Sequence, residues 1–199
     1  MNEVRRIITL DGDWDFAYTK EAPESGNCHL PDEEAYEVQI PVPAYWDDCK
    51  KRLKYAKFWS RGCVFNPEYR QIEFPMGGLK PPDASLPYLI GTGWYRRRFR
   101  AEEGWMDKTV VLHVGGVTLE AWVWLNGTFL GHHVGHLTPF ELNLKISNEE
   151  NGKRALIPGE ENELVIAVSN TRTDRTGCSI RGFKGKSAGI TRSVNIQVT

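Results

Sequence analysis

The 199-residue sequence holds only four cysteines, Cys28, Cys49, Cys63 and Cys178, and no two of them stand in a Cys-x-x-Cys spacing. A zinc ribbon or a thioredoxin-type dithiol needs that spacing, so neither is expected and the four are read as free thiols. Neither charge sign is in excess: 25 Lys and Arg stand against 26 Asp and Glu, a formal net charge of -1. A grip on nucleic acid through its phosphates requires a clustered basic surplus, which this balance does not supply. No apolar run approaches the roughly 20 residues of a membrane-spanning helix. Residues 1–10, interrupted by Glu3, Arg5 and Arg6, carry no apolar stretch of signal-peptide length, which leans toward the cytoplasm rather than export. Amphipathic helical periodicity is also missing, and the length falls short of the roughly 250 residues of a (β/α)8 barrel.

What the sequence has in quantity is turn formers and aromatics: 19 Gly and 11 Pro, with 7 Trp, 7 Tyr and 8 Phe. That mixture suits short strands joined by turns. Trp14, Phe16 and Tyr18 alternate with Asp15 and Ala17 directly after the turn sequence Asp11-Gly12-Asp13. Val38, Ile40 and Val42 alternate too, but Pro41 and Pro43 remove ladder donors and assign this strand to an edge. Further strands are expected over 94–100, 110–114, 119–125, 128–134, 139–146, 164–168 and 194–198. Asn126-Gly127 joins two of them, because both residues tolerate the positive φ of a type I′ hairpin turn. The run 164–168 is apolar on both faces, as in a central strand covered on two sides. About nine strands without a convincing helix predict an all-β fold, a single antiparallel β-sandwich of the jelly-roll kind spanning 1–199. Between residues 45 and 93 regular alternation lapses while aromatics persist. A connection of that length in a compact domain suggests function.

Chemistry-bearing residues are present, but few combine into a site. His132, His133 and His136 resemble a metal cluster, yet on a strand the first two point to opposite faces and the third lies about 13 Å from His132. Gly185-Lys186-Ser187 resembles the end of a phosphate-binding loop, but Ile180 stands where its first glycine belongs. The adjacent carboxylates Asp47 and Asp48, Glu102 and Glu103, Glu149 and Glu150, and Glu160 and Glu161 read as solvated surface rather than a glycosidase acid/base pair. There is no Gly-x-Ser-x-Gly elbow, and no cofactor is implied. Arg97 shares a face with Tyr95 and Phe99, which calls for a structural ion pair. Trp122 and Trp124 offer flat apolar faces that suit a sugar ring, or that a second sheet or neighbouring domain covers.

Taken in order, the sequence resembles the N-terminal sugar-binding domain of family 2 glycoside hydrolases, the β-galactosidase, β-glucuronidase and β-mannosidase group. The matching stretches are Leu10-Asp11-Gly12-Asp13-Trp14-Asp15-Phe16, Val42-Pro43-Ala44-Tyr45-Trp46 and Gly93-Trp94-Tyr95-Arg96-Arg97-Arg98-Phe99. Gly116-Val117, Leu125-Asn126-Gly127, Gly131 and Pro139-Phe140 follow, then 162–168 and Ala188-Gly189-Ile190-Thr191-Arg192-Ser193-Val194. Their order and spacing carry the resemblance across nearly the whole chain.

The resemblance implies a galactose-binding-domain-like jelly roll that, in the family, precedes an immunoglobulin-like domain and a barrel bearing the catalytic glutamates. Neither later domain fits within 199 residues, so this chain is expected to be a noncatalytic part of a glycosidase. Its implied partners are a carbohydrate substrate and those downstream domains, with no nucleic acid and no membrane. The alternatives are a self-sufficient lectin-like module and, more remotely, an enzyme in its own right. In the family the first domain lends two loops to the active-site rim, here 59–93 and 174–187. The rim residues so implied are Trp59, Tyr69, Tyr88, Trp94, Asp174, Arg175, Arg181, Phe183 and Lys184. Several members carry an acidic residue six positions before the glycine of Gly-Ile. Phe183 stands there in this sequence, and Asp174 is the nearest acid upstream. Arg175, Arg181, Lys184 and Lys186 make the second loop basic, a charge suited equally to an acidic sugar and to a contact with the barrel.

Overall fold

The structure, a computed structural model, describes residues 5–53, 91–147, 152–171, 173, 176 and 188–199. Among these, ten strands form two antiparallel sheets. They are β1 (Arg6–Thr9), β2 (Gly12–Thr19), β3 (Val38–Val42), β4 (Thr92–Arg100), β5 (Val110–Val114), β6 (Glu120–Leu125), β7 (Thr128–Val134), β8 (Phe140–Asn143), β9 (Glu161–Ser169) and β10 (Val194–Val198). A four-stranded sheet runs β1-β10-β5-β8 and a six-stranded sheet runs β3-β2-β4-β9-β6-β7. One short helix, α1 (Lys50–Leu53), and three 3-10 turns complete the regular elements described. The expected all-β antiparallel sandwich is the fold observed.

The alternation of the sequence sets which face of each strand is buried. Trp14 and Phe16 point inward with Ile40, Tyr95, Val123 and Ile166, and meet Leu112, Val114, Val194 and Ile196 of the smaller sheet in one core. The edge ring of Tyr95 meets Phe16 with centroids 5.1 Å apart at 75°, an arrangement that suits the aromatic quadrupoles. Trp14 keeps its one polar atom satisfied by donating Nε1–H to the Leu10 carbonyl at 2.8 Å. Leu164 to Val168 are buried on both faces of β9, which lies between β4 and β6 as the doubly apolar run requires. β3, with its prolines, is an edge.

Asn126 and Gly127 take φ of 49° and 76°, the I′ hairpin their chemistry favours. The asparagine is fixed further: its Nδ2 donates to the Ala155 carbonyl and to Asn162 Oδ1, while its Oδ1 accepts from Glu163 N–H.

Three expectations are corrected. β1 was not foreseen: four residues with Ile7 61% exposed show no alternation, and they become a strand because β10 offers an open edge. The strand expected over 139–146 shortens to Phe140–Asn143, since the chain turns after Asn143. Trp122 and Trp124 are covered neither by the second sheet nor by a neighbouring domain. The β2–β3 connection of this same chain, residues 20–37, lays Ala22, Cys28, Leu30, Ala35 and Tyr36 over them.

Candidate functional site

The segments expected to form the rim, 59–93 and 174–187, lie almost wholly outside the described residues, and with them Trp59, Tyr69, Tyr88, Asp174, Arg175, Arg181, Phe183 and Lys184. Cys63, Cys178 and the Gly185-Lys186-Ser187 stretch lie outside as well. The described residues show where these segments leave and rejoin the sandwich. The first leaves after α1 and returns at Gly91, the residue before β4, and the second leaves shortly beyond β9 and returns at Ala188.

Gly91 and Asn170 are fastened to each other. Gly91 N–H donates to Asn170 Oδ1 at 2.9 Å, Asn170 N–H donates to the Gly91 carbonyl at 3.2 Å, and Ser169 Oγ donates to that same carbonyl at 3.3 Å. Gly91 has φ of +150°, and a Cβ there would fall 2.5 Å from the Thr19 carbonyl and 2.7 Å from Tyr18, so only glycine fits.

The return of the second segment is fastened to Trp46, which precedes α1 and whose N–H donates to the Ala188 carbonyl at 2.8 Å. Two residues earlier Ala44 N–H donates to the Ile190 carbonyl. Gly189 is wedged between these bonds, and a Cβ would lie 2.4 Å from the Ala44 carbonyl and 3.1 Å from the Tyr95 hydroxyl. Thr118 Oγ1 closes the cradle by accepting from Gly189 N–H at 2.7 Å and contacting the Gly189 carbonyl at 3.2 Å. Trp46 itself is fully buried against Phe16, and Gly93 must lack a side chain because its Cβ would strike both rings. Trp46, Gly91, Asn170 and Ala188 are therefore held together at one end of the sandwich, while α1, seven residues on from Trp46 at Leu53, reaches Asp13 and Gln39 through Arg52.

Trp94 is the one rim candidate among the described residues. It is 4% exposed, stacks on Trp124 with centroids 5.6 Å apart, and donates Nε1–H to Thr19 Oγ1 at 2.8 Å. Its remaining edge lines an open groove of about 420 Å³ with Thr19, Glu21, Ser25, Asn27 and Cys28. Burial pushes the Cys28 thiol above its ordinary range, so this cysteine is a poor nucleophile.

The charge that the sequence placed on Arg97 sits one residue earlier. Arg97 donates to the Asp13 carbonyl at 2.6 Å and has no carboxylate at that contact. Arg96, only 5% exposed, reaches Asp15 Oδ2 through Nε and Nη2 at 3.1 and 2.8 Å, and Glu33 Oε1 through Nη2 at 2.9 Å, with a second bond from Nη1 to Glu33 Oε2. Its guanidinium carbon lies 4.0 Å from the centre of the Tyr36 ring, and Arg98 joins Glu33 to Glu163 at 3.0 Å on each side.

Burial raises the Asp15 carboxyl, but hydrogen bonds from Gln39 and Arg96 outweigh it and hold the group below its ordinary range. The hydrogen bond from Arg96 acts likewise on Glu33. Burial lifts the Tyr36 hydroxyl far above its usual value, leaving it protonated. These groups latch the 20–37 connection onto the sheet.

The histidines separate as strand geometry dictates. His132 meets buried Glu120 at 2.7 Å and stacks on Trp122, whereas His133 meets Thr138 and stacks on Phe140. Among the described residues no group of three or more His, Cys, Asp or Glu is placed to hold a metal ion.

The family described as "Glycosyl hydrolases family 2, sugar binding domain" matches this chain over residues 7–196. The chain belongs to that domain family. As a family 2 sugar-binding domain it is 33% identical over 88 residues to a β-glucuronidase of Paenibacillus borealis, a match covering 44% of this chain and 13% of that protein. It is 28% identical over 141 residues to a β-galactosidase of Priestia megaterium, covering 68% of this chain and 12% of the relative. Among solved structures, a β-glucuronidase from an uncultured Clostridium superposes on the whole chain with a TM-score of 0.62 at 23% identity, and the match takes up 30% of that enzyme. A β-glucuronidase of Bifidobacterium dentium, complexed with coumarin-3-O-glucuronide, gives 0.62 at 21% identity and likewise 30%. At such identities the superpositions speak for the fold alone. The chain thus spans about an eighth of these sequence relatives and under a third of the solved enzymes. What matches is their sugar-binding domain, not their catalytic one.

Proposed function

We propose that this family 2 domain is the noncatalytic N-terminal part of a glycosidase that hydrolyses O-glycosidic bonds, and that it forms part of the rim around that enzyme's substrate. The supporting observation is that the described residues at which the first segment returns and the second leaves and returns, Gly91, Asn170 and Ala188, lie at one end of the sandwich. An immunoglobulin-like domain and a catalytic barrel are its proposed neighbours in the same polypeptide, and a glycoside is its proposed ligand. Trp59, Tyr69, Tyr88, Trp94, Asp174, Arg175, Arg181, Phe183 and Lys184 are the residues proposed to face it. On this reading the domain shapes the entrance, while acid/base and nucleophile carboxylates come from elsewhere.

Two measurements test this. Antibody raised against the chain is expected to detect a native polypeptide heavier by about 40 kDa or more, room for a barrel and a further domain. Titration of the isolated chain with β-glucuronides and β-galactosides is expected to show no binding in the micromolar range, because half of the site is supplied by the barrel. A native band at 22.7 kDa together with a micromolar constant would replace the reading with that of a self-sufficient lectin-like module.

A further inference from the structure

The chain passes from the larger sheet to the smaller at one corner, residues 135–139, between β7 and β8. β7 is the last strand of the six-stranded sheet and β8 the last of the four-stranded one, so this corner closes one side of the sandwich. Two contacts hold it shut. Gly131 lies so near Leu142 that a Cβ would fall 2.7 Å from its Cδ2, and the His133 ring stacks on Phe140 with centroids 4.3 Å apart at 18°. His133 is in register with Ala121, a residue of the core between the sheets, and therefore points to that inner face. Phe140 is in register with Val114 and packs against the same core. An ionisable ring thus stands at the mouth of an apolar interior.

The corner is also strained. Leu137 has φ of +60° and Leu119, in the β5–β6 connection, +62°, a backbone region that leucine seldom enters. Two backbone bonds hold them there: Gly135 N–H donates to the Leu119 carbonyl and Leu137 N–H to the Val117 carbonyl, each at 2.8 Å. His133 Nε2 lies 3.0 Å from Thr138 Oγ1. Gly135 fits between them only for want of a side chain, since a Cβ would fall 2.2 Å from Thr138 Oγ1 and 2.7 Å from His133 Nε2.

The charges around the ring do not welcome a proton. On β7 the neighbouring His132 repels one, although its own ring lies on the outer face against Trp122 and Glu120 of β6. His136 in the corner is exposed. On β8, Glu141 points to the outer face of the smaller sheet, where it meets His113 of β5. Among the described residues no carboxylate bonds to His133. Thr138 favours the charged ring, but burial first and His132 second outweigh it and hold the imidazole below its ordinary range.

We propose that His133 is an acid-sensitive brace of the sandwich: as a neutral ring it keeps the β7–β8 corner shut, and on taking up a proton it releases residues 135–139 and opens that side of the core. The folded corner binds the proton less readily than the unfolded chain does. Its stability is therefore complete above the ordinary histidine value, about pH 6.5, and is lost as the pH falls from there through the folded one. The strained leucines supply the tendency to open once the brace is lost.

Nuclear magnetic resonance of the 199-residue chain tests this. The His133 ring is expected to titrate below the ordinary histidine range. Between about pH 7.5 and about pH 5, the Gly135 and Leu137 amides are expected to lose protection against hydrogen exchange several-fold, after correction for the intrinsic effect of pH, while the amides of the central strand β9 keep theirs. In His133→Gln the two corner amides are expected to be equally protected at both values. His133→Phe, which keeps a stacked ring and cannot ionise, is expected to behave likewise and decides the matter if the glutamine variant folds poorly. His113→Gln, altered on the outer face of the smaller sheet, is the control and is expected to retain the full acid response. A His133 titration at or above the ordinary range would mean that the phenyl face attracts the imidazolium, and it overturns the brace. Corner amides that ignore acid overturn it too, as does an acid response that survives in His133→Phe. An equal loss of protection in β9 would make the event global unfolding and overturn the local device.

Discussion

One face of the six-stranded sheet is closed by a second sheet, and the other by the connection 20–37. The inner face is sealed by large apolar side chains from both sheets, among them Trp14, Phe16, Tyr95, Leu112, Ile166 and Ile196. The outer face buries equally large groups, Trp94, Trp122 and Trp124, but what lies over them is mostly small and half-buried: Ala22, Cys28, Leu30, Ala35 and Tyr36. Polar fastenings make up the difference. Trp124 Nε1 donates to the Gly26 carbonyl at 2.8 Å, and Arg96 ties Glu33 of the connection to Asp15 of β2. A cover of this kind gains little from area and depends on a few directed bonds, so its hold depends on charge and pH.

Truncation separates the two faces most sharply. Trp14→Ala removes a fully buried ring from the inner core and is expected to cost about 3–5 kcal/mol, read as a lowered urea midpoint. Arg96→Ala should cost less, about 2 kcal/mol, because Asp15 and Glu33 can turn toward water when their partner is gone. Its signature is local: chymotrypsin cleavage within 20–37 should accelerate while the inner-face amides stay protected. An equal loss of protection on both faces would show that the sheet does not separate them.

Gly26→Ala comes next. Its new Cβ would lie 2.2 Å from the Phe129 ring, and displacing that ring should cost about 1 kcal/mol and lift the connection without touching the inner core. The smallest effect is that of acid. Asp15 titrates below its unfolded value, so its share of the stability is complete above the unfolded pKa and is lost as the pH falls through the folded one. The loss therefore lies below about pH 4 and should shrink in the Arg96→Ala protein, where the Gln39 hydrogen bond still holds the carboxyl down. Urea midpoints of both proteins at pH 3 and pH 6 check this.

The same contrast explains how much was legible in the sequence. Inner-face alternation in β2, the central strand β9 and the Asn126-Gly127 turn follow from local rules of period and φ, and they stand where those rules put them. Arg96 could not be chosen over Arg97 on such grounds. Both lie on a strand with aromatics on either face, and the deciding partner, Glu33, is 63 residues away in a connection with no strand pattern. β1 was hidden for the same reason, since its pairing with β10 is all that makes it a strand.

At the candidate site, Gly-Ile and Val-Pro-Ala-Tyr-Trp were conspicuous as stretches, but that they bond to each other through Ala44, Trp46, Ala188 and Ile190 belongs to the folded chain alone. Asn170 had only a faint signal, a Ser-Asn pair directly after the apolar run 164–168.

The pairing of β1 with β10 also governs when folding can finish. Val194 N–H donates to Asp11 Oδ1, and these residues stand 183 positions apart, so the partner of the first strand is made only after the other nine strands of this domain. At roughly 5–20 residues per second, β1 waits on the order of ten to forty seconds for β10 during synthesis. Throughout that wait Ile7 and Ile8 have no strand beside them, and the smaller sheet lacks β10, which joins β1 to β5. The six-stranded sheet, whose last strand β9 is complete some 25 residues earlier, is the half that can form first and receive the other.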